Sequence, residues 1–273
     1  MSTEIIAEIG INHNGSIDIC KELIDIASIA GCNYVKIQKR MPDLCVPESQ
    51  KNKIRSTPWG DMTYLEYKKR LEFNEKQISF IKDYAVNKRI EFFASVWDIP
   101  SSKVMSRYSR VAKIPSALIT NLDLCRHARK NFSNLIISTG MSTEQEIEEC
   151  IKACDPDVIM HTNSTYPSPT EELNLNYIKW LKDKWPRKEI GYSGHEYGLV
   201  STFAAVAIGA EWVERHITLN HSMWGSDHLS SLEPAGLFKL VKGIRDVEFS
   251  MRQAPASRIL LDGEKSKRES LRK

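Results

Sequence analysis

At 273 residues, the chain is near the roughly 250 that one (β/α)8 barrel needs, though one large domain or two small ones would also fit. Hydrophobic residues at 41% support a real core and exclude an intrinsically disordered chain. A formal net charge of only +3, with basic residues scattered except near the C-terminus, argues against nucleic acid as the main partner.

In chain order, the first strand is predicted over 4–9 (EIIAEI). It runs into Gly10-Ile11-Asn12-His13-Asn14-Gly15, which is not the GxGxxG loop that opens a doubly wound dinucleotide-binding sheet. A helix follows over 16–30, with Ile17, Cys20, Leu23, Ile24, Ala27 and Ala30 on one face. A second strand spans 33–38. Residues 39–73 then form an insertion with Pro42, Pro47, Pro58 and Gly60 and the aromatic residues Tyr64, Tyr67 and Phe73. On that face of a barrel it reads as an active-site lid. Asn74-Glu75 opens a helix over 75–88, and strands are expected over 90–95, 109–114 and 135–139. Thr143, followed by Glu144 and Glu146, caps a helix over 143–153. Strands over 157–162, 189–193 and 212–217 precede a last amphipathic helix over 236–252. Most of these strands are nearly continuous in apolar residues, as parallel strands covered on both faces are. Eight strands in βα alternation predict a closed (β/α)8 TIM barrel over 1–260, with a charged surface tail at 261–273.

The N-terminal residues lack a basic region, apolar run and small-residue cleavage site, so no secretory signal is read. No run of about 18 apolar residues is present to span a membrane. The six cysteines form no CxxC pair, and Cys150 and Cys154, one helical turn apart, read as packing rather than ligation. This is the pattern of reduced thiols in a cytoplasmic protein.

Polar residues at C-terminal strand ends face a barrel's active site. Here they are Glu8, Lys36 with Gln38, Ser95, Lys113 with Ser116, Ser138-Thr139-Gly140, His161 to Tyr166, Ser193 with His195, and His216. Such a set is too polar for a packing layer. Lys36 and Lys113 each lie among apolar residues. Pointing inward, two ammonium groups repel unless an anion sits between them, which gives a phosphate or carboxylate clamp assisted by Ser116, Ser138 and the Thr139-Gly140 backbone. The alternative is two lysines that snorkel out at strand ends. His195 and His216 end consecutive strands, which lie about 4.8 Å apart, so both imidazoles can reach one divalent ion; equally, they can be hydrogen-bonded histidines without a metal. Asp227 either orients a substrate hydroxyl or caps its own loop.

Seven runs, EIGINHNG (8–15), VKIQ (35–38), KIPS (113–116), STGM (138–141), HTNSTYP (161–167), GYSGHE (191–196) and ERHIT (214–218), in this order, resemble the sialic acid synthases. The resemblance covers nearly the whole chain. It implies a transferase that condenses phosphoenolpyruvate with the open-chain aldehyde of N-acetylmannosamine or a similar N-acetylated amino sugar and releases phosphate. It implies a divalent metal, usually Mn2+, on His195 and His216, and a phosphoenolpyruvate pocket of Lys36, Lys113, Ser116, Ser138 and Ser193, with Ser164 at a position that is Asn or Ser in the family. Glu8, Gln38, Tyr166 and Asp227 match residues near the metal or the sugar. Glu8, Lys36, Lys113, His216 and Asp227 are therefore expected to be catalytic. Gln38, Ser95, Ser116, Ser138, Ser164, Tyr166 and Ser193 are expected to bind substrate. A homodimer is expected as well.

Two departures stand out. Better-known members carry an acid five places after the lysine of KIPS, where this chain has Leu118. Many also continue into an antifreeze-like domain that contributes to the sugar site, for which Lys273 leaves no room; either the 39–73 insertion, or Trp224 with His228, is then expected to close the pocket, or the chain is the barrel part of a larger system. Competing readings are a sugar-binding barrel without activity and another phosphoenolpyruvate-dependent synthase, of the 3-deoxy-octulosonate or heptulosonate phosphate type.

Overall fold

A computed structural model describes residues 2–251 and 258–272. The strands in chain order are β1 (Glu4–Gly10), β2 (Tyr34–Lys39), β3 (Ile54–Thr57), β4 (Gly60–Thr63), β5 (Glu91–Val96), β6 (Val111–Ile114), β7 (Asn134–Ser138), β8 (Val158–Thr162), β9 (Glu189–Gly194) and β10 (Trp212–His216). Eight of them close into a barrel in the order β1-β10-β9-β8-β7-β6-β5-β2, while β3 and β4 pair as a separate antiparallel hairpin. The barrel pairs are parallel, as with β1 on β10 and β1 on β2. The (β/α)8 TIM barrel expected from the strand pattern is the fold observed.

The helices are α1 (Ile17–Ala30), α2 (Pro42–Cys45), α3 (Glu48–Lys51), α4 (Tyr64–Leu71), α5 (Glu75–Asn87), α6 (Ile99–Met105), α7 (Leu122–Asn131), α8 (Glu144–Cys154), α9 (Asn176–Lys184), α10 (Val200–Ala207), α11 (Pro234–Met251) and α12 (Asp262–Leu271). Their starts obey local chemistry. Asn74 with Gln77 and Thr143 with Glu146 form reciprocal capping boxes at α5 and α8, satisfying backbone N–H groups that the first turn leaves unpaired. Pro234 begins α11 two residues before the expected start, because proline is favoured where no intrahelical N–H is needed; residue 252 lies outside the described residues. β6 begins at Val111, not 109, because the Ser109 hydroxyl bonds the Val111 backbone and holds a turn there. In the tail, Asp262–Leu271 form α12, none of whose residues is buried.

Alternation along each strand sorts the barrel into two cores. Ile5, Ala7, Val35, Ile37, Phe92, Ala94, Leu135, Ile137 and Val213 point outward into the helix layer. Ile6, Phe93, Ile136, Val158, Met160 and Trp212 point inward and plug the barrel floor. Gly191 makes room for this plug: a Cβ there would lie 2.4 Å from Met160 Sδ and 2.7 Å from Trp212 Cβ. One step up the same strands, the inward positions change to Glu8, Lys36, Lys113 and Glu214, all buried. The site therefore rests on a solid apolar floor.

The insertion contains α2, α3, the β3–β4 hairpin and α4. It docks on the barrel mouth through Tyr67 and Leu71, packed with Ile11, Met62, Tyr64 and Trp224. Tyr67 meets Trp224 edge-on at 5.1 Å between ring centroids, and Trp59 does so at 5.8 Å. All six cysteines are free. Cys125 of α7 joins Cys150 and Cys154 of α8 in a buried contact, with Sγ separations of 3.7 Å (Cys125–Cys150) and 3.9 Å (Cys150–Cys154).

Candidate active site

A cavity of about 390 Å³ opens at the C-terminal ends of the strands. Glu8, Lys36, Gln38, Ser95, Lys113, Ser116, Ser138, Ser164, Tyr166, Ser193, His195, His216 and Asp227 all line it. The strand register explains much of this: Glu8 lies beside Lys36 on one side and His216 on the other, and Gln38, Ser95 and Lys113 follow round the wall. His161, from the same strand-end set, instead points out of the barrel and bonds the Leu173 carbonyl at 2.7 Å. It follows the outward phase of β8, while Thr162 takes the inward one.

The two lysines do face inward, but the anion between them belongs to the protein. Lys36 Nζ lies 2.6 Å from Glu8 Oε2 and 3.5 Å from Glu214 Oε1; Lys113 Nζ lies 2.8 Å from that same Glu214 oxygen. Lys36 also donates to Ser95 Oγ at 2.8 Å, and Ser193 Oγ donates to Glu214 at 3.3 Å. The result is an alternating row, Glu8–Lys36–Glu214–Lys113, with formal charges that cancel. Burial opposes the charge on Glu214, yet Lys113 and Lys36 outweigh it and hold this carboxyl down to about 2. At Glu8 burial wins over Lys36, and the neighbouring Glu214 charge adds to it, so this carboxyl is raised above the usual range. Burial likewise lowers Lys113. Two adjacent carboxyls pushed in opposite directions make Glu214 a fixed anion and Glu8 the group fit to exchange a proton.

Sequence reasoning left Glu214 without a role. Its signal was available: Glu214 is two residues before His216 on one strand, so both point inward while Arg215 points out. Arg215 pairs with Glu196 at 3.1 Å, both 1% exposed, and bonds the Gly198 carbonyl and Thr202 hydroxyl behind the barrel. That pair, although inside two of the seven runs, is architectural.

On the β6–β8 side, Ser116 Oγ accepts from Gly140 N at 3.1 Å. A Cβ at Gly140 would lie 2.1 Å from Ser164 Oγ and 2.9 Å from Ser116 Oγ, so only glycine lets these hydroxyls converge. Donors of this kind, with Ser138 beside them and α8 starting four residues on, suit a bound anion. Leu118 packs against the outer core and does not line the cavity, whose wall here is Pro115, Ser116 and Ala117.

His195 Nδ1 donates to the Asn163 carbonyl at 2.6 Å, which leaves Nε2 with its lone pair; the Tyr166 hydroxyl meets that nitrogen at 2.8 Å. Burial, then the nearby His216, lowers His195 to about 3, so it is neutral over the working range. The His195 and His216 rings are 5.6 Å apart, and His216 Nδ1 is buried without a hydrogen-bond partner among the described residues. The neutral His195 imidazole and the unpartnered His216 Nδ1, with the Glu8 carboxyl adjacent, form a donor set that fits a borderline divalent ion. Asp227 does not cap its turn; its carboxylate accepts from Ser226 Oγ at 2.6 Å and lines the cavity. His228 is buried beneath the loop against Thr218 and lies outside the lining. The mouth is walled instead by the insertion, through Arg40 and Lys68, with Trp97 of the strand-five loop. Lys68 was missed because the inserted helix α4 carries no strand phase, whereas Arg40 and Trp97 continue the inward phase of β2 and β5 one residue past the strand ends and were read as loop.

Residues 23–255 match the NeuB family. The chain belongs to the NeuB family. Two similar relatives of this NeuB chain are synthases. The N,N'-diacetyllegionaminic acid synthase of Campylobacter jejuni is 34% identical over 260 residues, covering 91% of this chain and 77% of the relative. The human N-acetylneuraminate-9-phosphate synthase is 35% identical over 251 residues, covering 89% and 70%. Among solved structures, an N-acetylneuraminic acid synthetase from Leptospira borgpetersenii in complex with citrate superposes with a TM-score of 0.87 at 29% identity, covering 100% of this NeuB chain and 93% of that one. No helix among the described residues is long and apolar enough to cross a membrane.

Proposed function

We propose that this chain is a phosphoenolpyruvate-dependent nonulosonate synthase, joining phosphoenolpyruvate to the open-chain aldehyde of an N-acetylated amino sugar and releasing phosphate. The observation that carries this reading is the neutral buried row Glu8–Lys36–Glu214–Lys113 beside two imidazoles in one cavity. The names of the relatives, synthases of legionaminic acid and of N-acetylneuraminate 9-phosphate, agree with it.

His195 and His216 would hold the metal, for which Mn2+ is the choice, and when bound it supplies a Lewis acid for the sugar aldehyde. The chain's own groups do the rest. Ser116, Ser138, Ser164 and the Gly140 N–H receive the anionic groups of phosphoenolpyruvate, with Lys113 and Lys36 at their edge. Gln38, Ser95, Ser193, Tyr166 and Asp227 supply hydrogen bonds that orient the two substrates. The enol π electrons form the new bond from C3 to the aldehyde carbon, whose oxygen takes a proton from the Glu8 carboxyl. Positive charge then develops at C2, and the fixed anion Glu214 and the adjacent Glu8 stabilise it in a buried setting where such charge counts most. Water adds to C2 and gives up a proton, for which Glu8 is the acceptor. The C2–O bond of the phosphate ester breaks, the electron pair leaves with phosphate, and the C2 hydroxyl becomes the ketone as its proton passes to the departing phosphate. The lysines, freed in part from Glu214, meet the charge growing on the departing phosphate.

The free thiols suit a reducing compartment, the cytoplasm, and a homodimer is the proposed assembly. Incubation with Mn2+, phosphoenolpyruvate and a panel of N-acetylated amino sugars tests the reading. Acceptor-dependent phosphate release is expected, and its absence with every acceptor would overturn the proposal.

A further inference from the structure

The floor of the cavity is charge-balanced, but its mouth is not. Lys39 and Arg40 share a single carboxylate, Glu72, at 3.0 and 3.1 Å. Lys68, from α4, lies over the rings of Tyr64 and Tyr67 at 5.2 and 5.3 Å. Among the described residues no carboxylate comes within the 4.0 Å of an ion pair to it. Both Arg40 and Lys68 line the cavity, and Asp227 lies on the wall formed by the loop after β10. Burial and then the Arg40 charge lower Lys68 to about 8, against the opposing pull of Asp227 and Glu72, neither of which reaches ion-pair distance.

Keeping such a cation half-buried is unfavourable unless a ligand completes it. The anions of phosphoenolpyruvate have their own cradle on the β6–β8 side, at Ser116, Ser164 and Gly140, so the mouth cations are left for the acceptor. A neutral or deoxygenated sugar end would leave Lys68 without a paired anion and Arg40 with only its share of Glu72. A phosphate ester, a dianion with three free oxygens, matches an ammonium and a guanidinium together.

We propose that Lys68 and Arg40 bind a phosphoryl group on the acceptor, making this chain selective for a sugar phosphate over a neutral sugar. The inference rests on the reading of the cavity as a phosphoenolpyruvate–sugar condensing site. It assigns the insertion the task of choosing the acceptor by charge.

The test uses the full chain with Mn2+ and saturating phosphoenolpyruvate, measuring kcat/KM for N-acetylmannosamine, its 6-phosphate and a neutral diacetamido-trideoxyhexose. The phosphorylated acceptor is expected to lead by about 30-fold or more, the size of a charge-assisted contact. Lys68→Met is expected to cut that preference by about 10-fold, chiefly through a higher KM for the phosphorylated acceptor, and Lys68→Arg to retain most of it. Equal or better turnover of either neutral sugar by the unaltered protein overturns the inference while the synthase reading stands. A Lys68→Met effect confined to the KM for phosphoenolpyruvate also overturns it. Phosphate release with none of the three sinks the synthase reading itself, a different and recognisable result.

Discussion

Glu214 shows how one unassigned side chain changes the account of a site. The sequence places two lysines in an apolar setting and asks for an anion between them; the folded chain supplies that anion itself, 2.8 Å from Lys113 and 3.5 Å from Lys36. The lysines are thus preorganised before any substrate arrives, and a substrate anion must compete with Glu214 for them. Glu214→Gln keeps the shape and removes the charge. It is expected to lower kcat by about 100- to 1000-fold, the scale of losing one preorganised electrostatic contact, with a smaller effect on the KM for the sugar. Steady-state kinetics at saturating phosphoenolpyruvate would show this, and an unchanged kcat would remove Glu214 from the chemistry. Thirteen cavity residues were legible in the sequence because strand phase gives direction. Glu214 was hidden inside a run whose histidine drew the reading, Arg40 lies one residue past the end of β2, and Lys68 lies on an inserted helix where no strand phase exists.

At the scale of elements, the same strand β10 serves two masters. Its inward residues Trp212, Glu214 and His216 build floor and site, whereas Arg215 goes outward to Glu196 and Thr202 at the start of α10. This pair is fully desolvated, so removing one partner strands a buried charge. Glu196→Ala is expected to destabilise the fold by about 3–5 kcal/mol in chemical denaturation. A change below about 1 kcal/mol would show that the pair behaves like a surface ion pair. Helix starts at Asn74 and Thr143 were legible to the residue because caps are local chemistry. The insertion was legible as a lid-like segment but not as a hairpin and three short helices, because its order comes from Tyr67, Trp59 and Trp224 meeting across the mouth, a contact of residues far apart in the chain.

For the whole molecule, the barrel divides labour along its axis. An apolar plug of Ile6, Phe93, Ile136, Val158, Met160 and Trp212 fixes the floor, a neutral ionic row lies above it, and the insertion closes the mouth with cations. The closed barrel was legible from eight strands in βα alternation; the charge layering was not, since it depends on which strands become neighbours around the ring. In the proposed reaction one cavity brings together a metal on His195 and His216 and phosphoenolpyruvate at the serine cradle. Crystals grown with Mn2+ and phosphoenolpyruvate, measured for anomalous scattering at the manganese edge, test it most directly. One strong peak bonded to both imidazoles, with phosphoenolpyruvate reaching Ser116, Ser138 and Gly140, is the predicted result. A peak at the sulfur cluster of Cys125, Cys150 and Cys154 alone, or phosphoenolpyruvate bound outside the cavity, would contradict it.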